Sequence, residues 1–356
     1  MGLLAAAEAG AGEQGLGARR GAEMAIARVN EEGGIDGRPV ELVVRSVEGL
    51  WGAGSKRIVS MAFEDGVWVI LSSLDGRGAH LTEQVVTKAL VPMVSLRASD
   101  PTLTQLYTPW FFRCVPDDRQ QARALVREIF RSRSLGRVAT MAVDTYDSRM
   151  AAATFARVAA AAGYRVSARL SYEGPGPDLA AVLRRIERDG IEGLVLFVPA
   201  GPTATIIRAM RARGMRQALF GPLSLADDVL LQSAGSDLEG AVLVAPGHWG
   251  TSRGETFRQA FRAIYGYPPS TASACAYDAM RVIVEAIERV GLDRAKIRDA
   301  LSDIDYREGV TGRVRFDDKG NRVGDVELIE IVGGRPRFLH RAASDVLEPA
   351  GEPSPP

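Results

Sequence analysis

Gly21–Val44, GAEMAIARVNEEGGIDGRPVELVV, decides the fold class of this 356-residue chain. Ala22, Ala25, Ile26 and Val29 recur at helical spacing, and Gly33-Gly34 supplies a left-handed stop. Asp36-Gly37 makes a turn, and Val40 to Val44 is apolar and β-branched, as a buried strand requires. The passage is half of a βαβ unit, so a parallel sheet flanked by helices is the expectation.

Outward from this stretch the same alternation continues. Met1 to Leu4 reads as a first core strand, and strand-like runs follow at Val67 to Ser72, Pro92 to Ser95, Arg137 to Val143, Arg165 to Leu170, Leu194 to Val198 and Ala241 to Ala245. Helical patterns fill the intervals, including the alanine-rich Ala151 to Ala162, closed by Gly163. Strands alternating with helices argue for parallel sheets covered on both faces. Trp110 to Asp118, WFFRCVPDD, reads as a strand that runs through Pro116 into an acidic helix start and as a first crossing between lobes. A second crossing is expected near Val244 to His248. A third is expected at the strand pair Gly312 to Phe316 and Val326 to Ile331, joined by the turn Asp317 to Gly320. The tail beyond Ala342, ending GEPSPP, has no periodicity and reads as disordered.

Composition narrows the function. At 356 residues the chain can build two modest lobes, and 44 basic residues balance 44 acidic ones, so no net field favours nucleic acid. No run of about 18 apolar residues offers a membrane span. No n-region, h-region or cleavage site precedes the first strand; a removed export signal, a misplaced start and a cytoplasmic relative are all compatible with that. Cys114 and Cys275 lack metal-ligand spacing and sit in apolar patterns, as buried free thiols do.

Enzyme motifs find little support. Gly10 to Gly15 matches G-x-G-x-x-G, but Ala5 to Ala9 separate it from Leu4, and the second strand ends in Arg45-Ser46 rather than an acid for a ribose. A flexible glycine-rich loop at a cleft mouth is the better reading. His80 and Glu83 could share a helix face, yet the chain has three histidines, the others being His248 and His340. There is no nucleophile elbow, phosphate loop or Cys/His pairing. Trp51, Trp68 and Trp110 read as core, and Trp249 as a residue beside a hinge. No cofactor, metal or catalytic residue is expected.

The positive signal is two turns at the carboxyl ends of consecutive strands, Ser72-Ser73-Leu74-Asp75-Gly76-Arg77-Gly78 and Ser95-Leu96-Arg97-Ala98-Ser99-Asp100-Pro101. Ligands bind outside such ends in open α/β sheets, although Ser and Asp also cap helices there. The second turn, extended over Pro92 to Thr104, resembles "P-x-I-S-x-x-A-T-x-P-x-L-T" of the Leu/Ile/Val-binding family of periplasmic solute receptors, which feed ABC transporters. Phe112-Arg113 with Pro116-Asp117 and Gln120 is similar to its "F-R-x-x-P-x-D-x-x-Q". Val143-Asp144-Thr145-Tyr146 is similar to "D-x-x-Y-G", Gly221-Pro222 to "G-P" and Tyr277-Asp278-Ala279 to "A-Y-D-A". With the opening helix and strand, the likeness covers Met1 to Leu339.

The resemblance implies a two-lobed type I periplasmic-binding fold, with a mostly parallel sheet in each lobe and a three-strand hinge. It implies lobes at 1–116 with 248–323 and at 117–247 with 324–342. It also implies an extracytoplasmic receptor, not an enzyme, that passes a small amino acid or carboxylate to an ABC permease. The first lobe would bind through Ser72, Ser73, Asp75, Gly76, Arg77, Arg97, Ala98 and Ser99, and the second would close with Tyr146, Ala200, Gly201, Leu223 and Ser224. Two departures bear on the ligand. The family's serine in the first loop falls at Asp75 or Gly76, and Leu223-Ser224 stands where branched-chain receptors carry an acid for the ammonium. Asp75 could replace that acid, or the ligand could lack an amino group; Arg77 and Arg97 favour a carboxylate. The competing readings are a cytoplasmic ligand-sensing regulator of the same fold and an NAD(P)-dependent enzyme using Gly10 to Gly15.

Overall fold

The computed structural model describes residues 1–6, 11–47, 53–105, 108–226, 228–245 and 251–339. The first lobe is built on β1 (Gly2–Ala6), β2 (Val43–Val47), β3 (Ile70–Ser72), β4 (Met93–Ser95) and β5 (Phe111–Arg113), in the spatial order β2-β1-β3-β4-β5 and parallel throughout. The helices α1 (Ala11–Glu31), α2 (Ala53–Phe63) and α3 (Gly76–Ala89) connect these strands. Leu3, Leu71, Val94 and Phe112 of this sheet share a core with α1 and with two later helices.

From β5 the chain crosses at Cys114 to Asp117 into α4 (Asp118–Val126), which continues as a π-helical turn to Ser132. The second lobe follows with β6 (Val138–Ala142), α5 (Tyr146–Ala161), β7 (Ala168–Ser171), α6 (Pro177–Arg188), β8 (Gly193–Phe197), α7 (Ala200–Ala212), β9 (Ala218–Gly221), α8 (Asp228–Ala234) and β10 (Val242–Ala245). Its order, β7-β6-β8-β9-β10, repeats that of the first lobe strand for strand, again all parallel. The chain then returns to the first lobe with α9 (Ser252–Tyr265), α10 (Thr271–Val290), α11 (Arg294–Ser302) and the short ribbon of β11 (Asp305–Tyr306) and β12 (Val314–Arg315). A last crossing delivers β13 (Glu327–Val332) and β14 (Arg335–Phe338) to the second sheet as antiparallel edge strands.

Several elements differ from the sequence expectation. The strand expected from Val40 begins at Val43, because the Asn30 side chain takes both the Val40 N–H and its carbonyl, at 2.7 and 3.0 Å, and holds that stretch off the ladder. The loop expected at Gly10 to Gly15 is helical from Ala11 onward, and Gly10 lies outside the described residues. Two further glycines of this helix serve packing. A Cβ on Gly21 would stand 2.0 Å from the Ser273 carbonyl oxygen of α10, and one on Gly17 2.5 Å from Ser270 Oγ. The strands at 312–316 and 326–331 are not a hairpin: β12 pairs with β11, and β13 joins the other sheet, as a crossing requires. β9 and β14 were not expected. His340 and the tail beyond Ala342, Trp51, Trp249, and Pro246 to His248 of the second crossing lie outside the described residues. Trp110 is buried, Trp68 packs at the edge of the first core, and Cys114 and Cys275 are buried free thiols.

Candidate functional site

In sheets of this strand order the crevice opens outside the carboxyl ends of the central strands, where the order reverses. In the first lobe the loops after β3 and β4 border it. Asp75 there caps α3, its carboxylate accepting the Gly78 N–H at 2.7 Å, and is exposed. Ser72 and Ser73 are buried; Ser72 Oγ accepts from Leu74 N at 3.4 Å, and Ser73 donates its N–H to the Leu4 carbonyl at 3.0 Å. In the next loop Ser95 Oγ accepts the Ala98 N–H at 3.1 Å, Ala98 is buried, and Arg97 and Ser99 are half-buried.

Arg113 fixes that second loop from below. It is fully buried on β5 and donates to the carbonyls of Ala98 and Asp100 at 3.4 and 2.9 Å and to Thr104 Oγ1 at 3.0 Å. Thr104 in turn donates to Asn321 Oδ1 at 2.7 Å, so the loop is tied to the chain's last crossing. The first turn of α4 extends the site toward the second lobe. The Asp118 N–H donates to the Ser99 carbonyl at 2.8 Å, the Ser99 hydroxyl bonds the Asp118 carboxyl, and burial pushes that carboxyl up to about 8. One turn on, Gln121 Oε1 accepts the N–H of buried Leu223 at 2.8 Å, while Ser224 is exposed. Asp118 and Gln121 therefore join Ser99 to the Leu223 turn. Ala200 and Gly201 open α7 at the carboxyl end of β8, with Gly201 exposed.

The two lobes also meet directly. The Tyr146 hydroxyl, at the start of α5, donates to Asp100 Oδ2 at 2.6 Å, and His80 Nε2 lies 3.0 Å from the same oxygen. The other Asp100 oxygen accepts Thr102 N and Oγ1 at 2.8 and 2.7 Å. The His80 ring meets Tyr146 edge-on with centroids 6.2 Å apart, and Arg77 lies 6.0 Å from the tyrosine centroid. Beside them Asp147 Oδ1 accepts the Gly76 N–H at 3.0 Å. Hydrogen bonds that the His80 ring donates to Asp100, then Glu83, raise it to about 9, while burial and Asp100 push Tyr146 up to about 12. Burial opposes ionisation of Asp100, but its bonds from His80, Tyr146 and Thr102 prevail and hold it well below the usual carboxylate range. Burial, then Asp75, raises Asp147. On the opposite side Thr271 Oγ1 of α10 donates to the Ala226 carbonyl at 2.7 Å.

A cavity of about 450 Å³ opens at the carboxyl ends of β6 and β7, lined by Val143, Asp144, Tyr172 and Glu173 and by none of the sequence-predicted site residues. Among the described residues no cluster of His, Cys, Asp and Glu is arranged to hold a metal, and no helix is long and apolar enough to cross a membrane.

Comparison with known proteins fits this fold. A family described as "Periplasmic binding protein" matches residues 1–335. The leucine-, isoleucine-, valine-, threonine-, and alanine-binding protein of Pseudomonas aeruginosa is 23% identical over 312 residues, covering 85% of this chain and 81% of that protein. An ABC transporter substrate-binding protein of Sphaerobacter thermophilus superposes with a TM-score of 0.85 at 20% identity, covering 95% of each chain. A solute-binding protein of an ABC transporter from R. palustris, in complex with benzoate, superposes at 0.83 with 19% identity, covering 95% of this chain and 94% of that one.

Proposed function

Since the chain belongs to the periplasmic binding protein family, we propose that it captures a small amino acid or small carboxylate between its lobes and presents the closed form to an ABC permease outside the cytoplasm. The observation that carries this reading is the pair of mostly parallel sheets with one strand order, in which the loops at the carboxyl ends of β4 and β9 converge through Ser99, Asp118, Gln121 and Leu223. No chemistry is required. Ala98, Ser99 and the Ser72 to Arg77 loop receive the ligand on the first lobe; Tyr146, Ala200, Gly201, Leu223 and Ser224 complete the cage from the second. Lobes at 1–116 with 248–323 and at 117–247 with 324–342 turn about the three crossings. Ligand bound to both lobes then shifts the population toward the closed shape that the permease reads.

Arg77 and Arg97 favour a ligand carboxylate by the fit of guanidinium to its two oxygens. An ammonium group, if present, finds its partner at the exposed Asp75 rather than at Leu223-Ser224. The test is a thermal-shift screen of the purified chain against amino acids, aliphatic and aromatic carboxylates including benzoate, amides and NAD(P), because a ligand of the folded state raises the melting point. A shift with one acid or amino acid supports the receptor and gives its ligand class. A shift with NAD(P) alone overturns it.

A further inference from the structure

We propose that Tyr146 and Asp147, docking on Asp100 and Gly76 beside His80, form a latch that holds the lobes closed independently of what lies between them. The inference rests on the two-lobed receptor reading only in that the lobes part; the latch itself contains no ligand atom. Two adjacent residues on the first turn of one helix make both contacts, so a single rigid element carries the clasp.

The receiving side is prepared in three ways. Asp100 is oriented by two bonds from Thr102 to one oxygen and by Arg113 on its carbonyl, leaving Oδ2 for His80 and Tyr146. His80 places an imidazolium against a carboxylate that Tyr146 covers, so closure buries a paired charge rather than a lone one. Gly76 supplies the seat. A Cβ there would lie 2.7 Å from Asp147 Oδ1 and 3.4 Å from Tyr146 Cε1. Its backbone is not in the left-handed region, so docking rather than chain conformation calls for glycine. The titratable groups facing His80 are Asp100 in the second loop, Tyr146 on α5 and Glu83 on its own helix; Arg77 stands 6.0 Å from the tyrosine centroid, and Asp75 and Arg97 act on Asp147.

The latch makes the tyrosine hydroxyl a lobe-to-lobe contact, so its loss lowers affinity for every ligand by the same factor. The deciding experiment uses no ligand: energy transfer between dyes on Arg57→Cys and Arg184→Cys, exposed on different lobes, with small-angle scattering alongside. The expected result is that Tyr146→Phe shifts the closed-to-open ratio toward open by about tenfold, the worth of one hydrogen bond to a charged group. Asp100→Asn shifts it the same way, and the double variant adds little because both remove one bond. Gly76→Val acts similarly by wedging the seat. An unchanged distance distribution in a Tyr146→Phe protein of unaltered circular dichroism overturns the latch. A chain that answers to no small molecule, yet opens on Tyr146→Phe, sinks the receptor and leaves the latch standing.

Discussion

Ser99 spends its carbonyl and its hydroxyl on Asp118, so its position relative to any ligand is set by the first turn of α4. Ser99→Ala should weaken ligand binding by about 1–3 kcal/mol, and Tyr146→Ala by a similar amount, as the loss of a buried hydrogen-bond partner costs. Titration calorimetry measures both: unchanged affinity removes Ser99 from the site, and for Tyr146 a loss that differs between ligands marks ligand contact whereas a uniform loss marks the lobe-to-lobe bond alone. His80 carries a pH signature. Its folded pKa of about 9 exceeds the ordinary 6.5, so its stabilising contribution is complete below pH 6.5 and is lost as pH rises through 9. Asp118, raised from 3.8 to about 8, also lowers stability with rising pH, over a lower window. The melting temperature should therefore fall from pH 6.5 to 9, and His80→Gln should flatten the upper part of that fall; an identical slope in the variant refutes the assignment. Of the site, the sequence made legible the two donor-rich loops and the capping tendency that Asp75 fulfils. The His80–Asp100–Tyr146 cluster was not legible, since no spacing rule links residues 20 and 46 positions apart.

At the scale of elements, α1 and α10 meet over Gly17, Ala18, Gly21 and Ala22 against Ser270, Ser273 and Ala276, and only glycine fits under the Ser273 carbonyl. Gly21→Val should destabilise the fold by about 1–3 kcal/mol, read from the midpoint of urea unfolding. The segment expected as a loop at Gly10 to Gly15 is helical from Ala11, and it leads into the turns whose Gly17 and Gly21 fit α1 to α10. The alternation of strand and helix was legible over most of the chain, because apolar β-branched runs bounded by Gly, Pro or Asp leave few alternatives. What escaped were short or borrowed pieces. β9 has four residues, β14 alternates arginine with proline and phenylalanine, and the onset of β2 depends on the Asn30 side chain ten positions away. Arg322, near the last crossing, donates to the Cys114 and Thr311 carbonyls at 2.8 and 2.5 Å. Arg322→Ala should lower stability by about 1–3 kcal/mol through those unpaired acceptors.

At the scale of the whole molecule, one strand order occurs twice, and ligand capture between the two sheets should compact the particle once the latch is broken: in Tyr146→Phe the radius of gyration falls on saturation with the ligand found by the thermal screen, and a constant radius there denies closure. The lobes also differ in how the chain completes them. Strands β6 to β10 are continuous in sequence, but the first sheet waits for α10 and α11 to cover the face lined by Leu3, Leu71, Val94 and Phe112. During synthesis that face is covered only by α1 until residue 302 has emerged, while β6 to β10 of the second sheet can already pair. A chain arranged this way leaves both halves to be finished by its last third, the first by α10 and α11 and the second by β13 and β14, so long-range closure rather than local helix formation sets its folding time. That delay keeps the nascent polypeptide available to whatever machinery handles unfolded chains, whether a chaperone or a translocation channel.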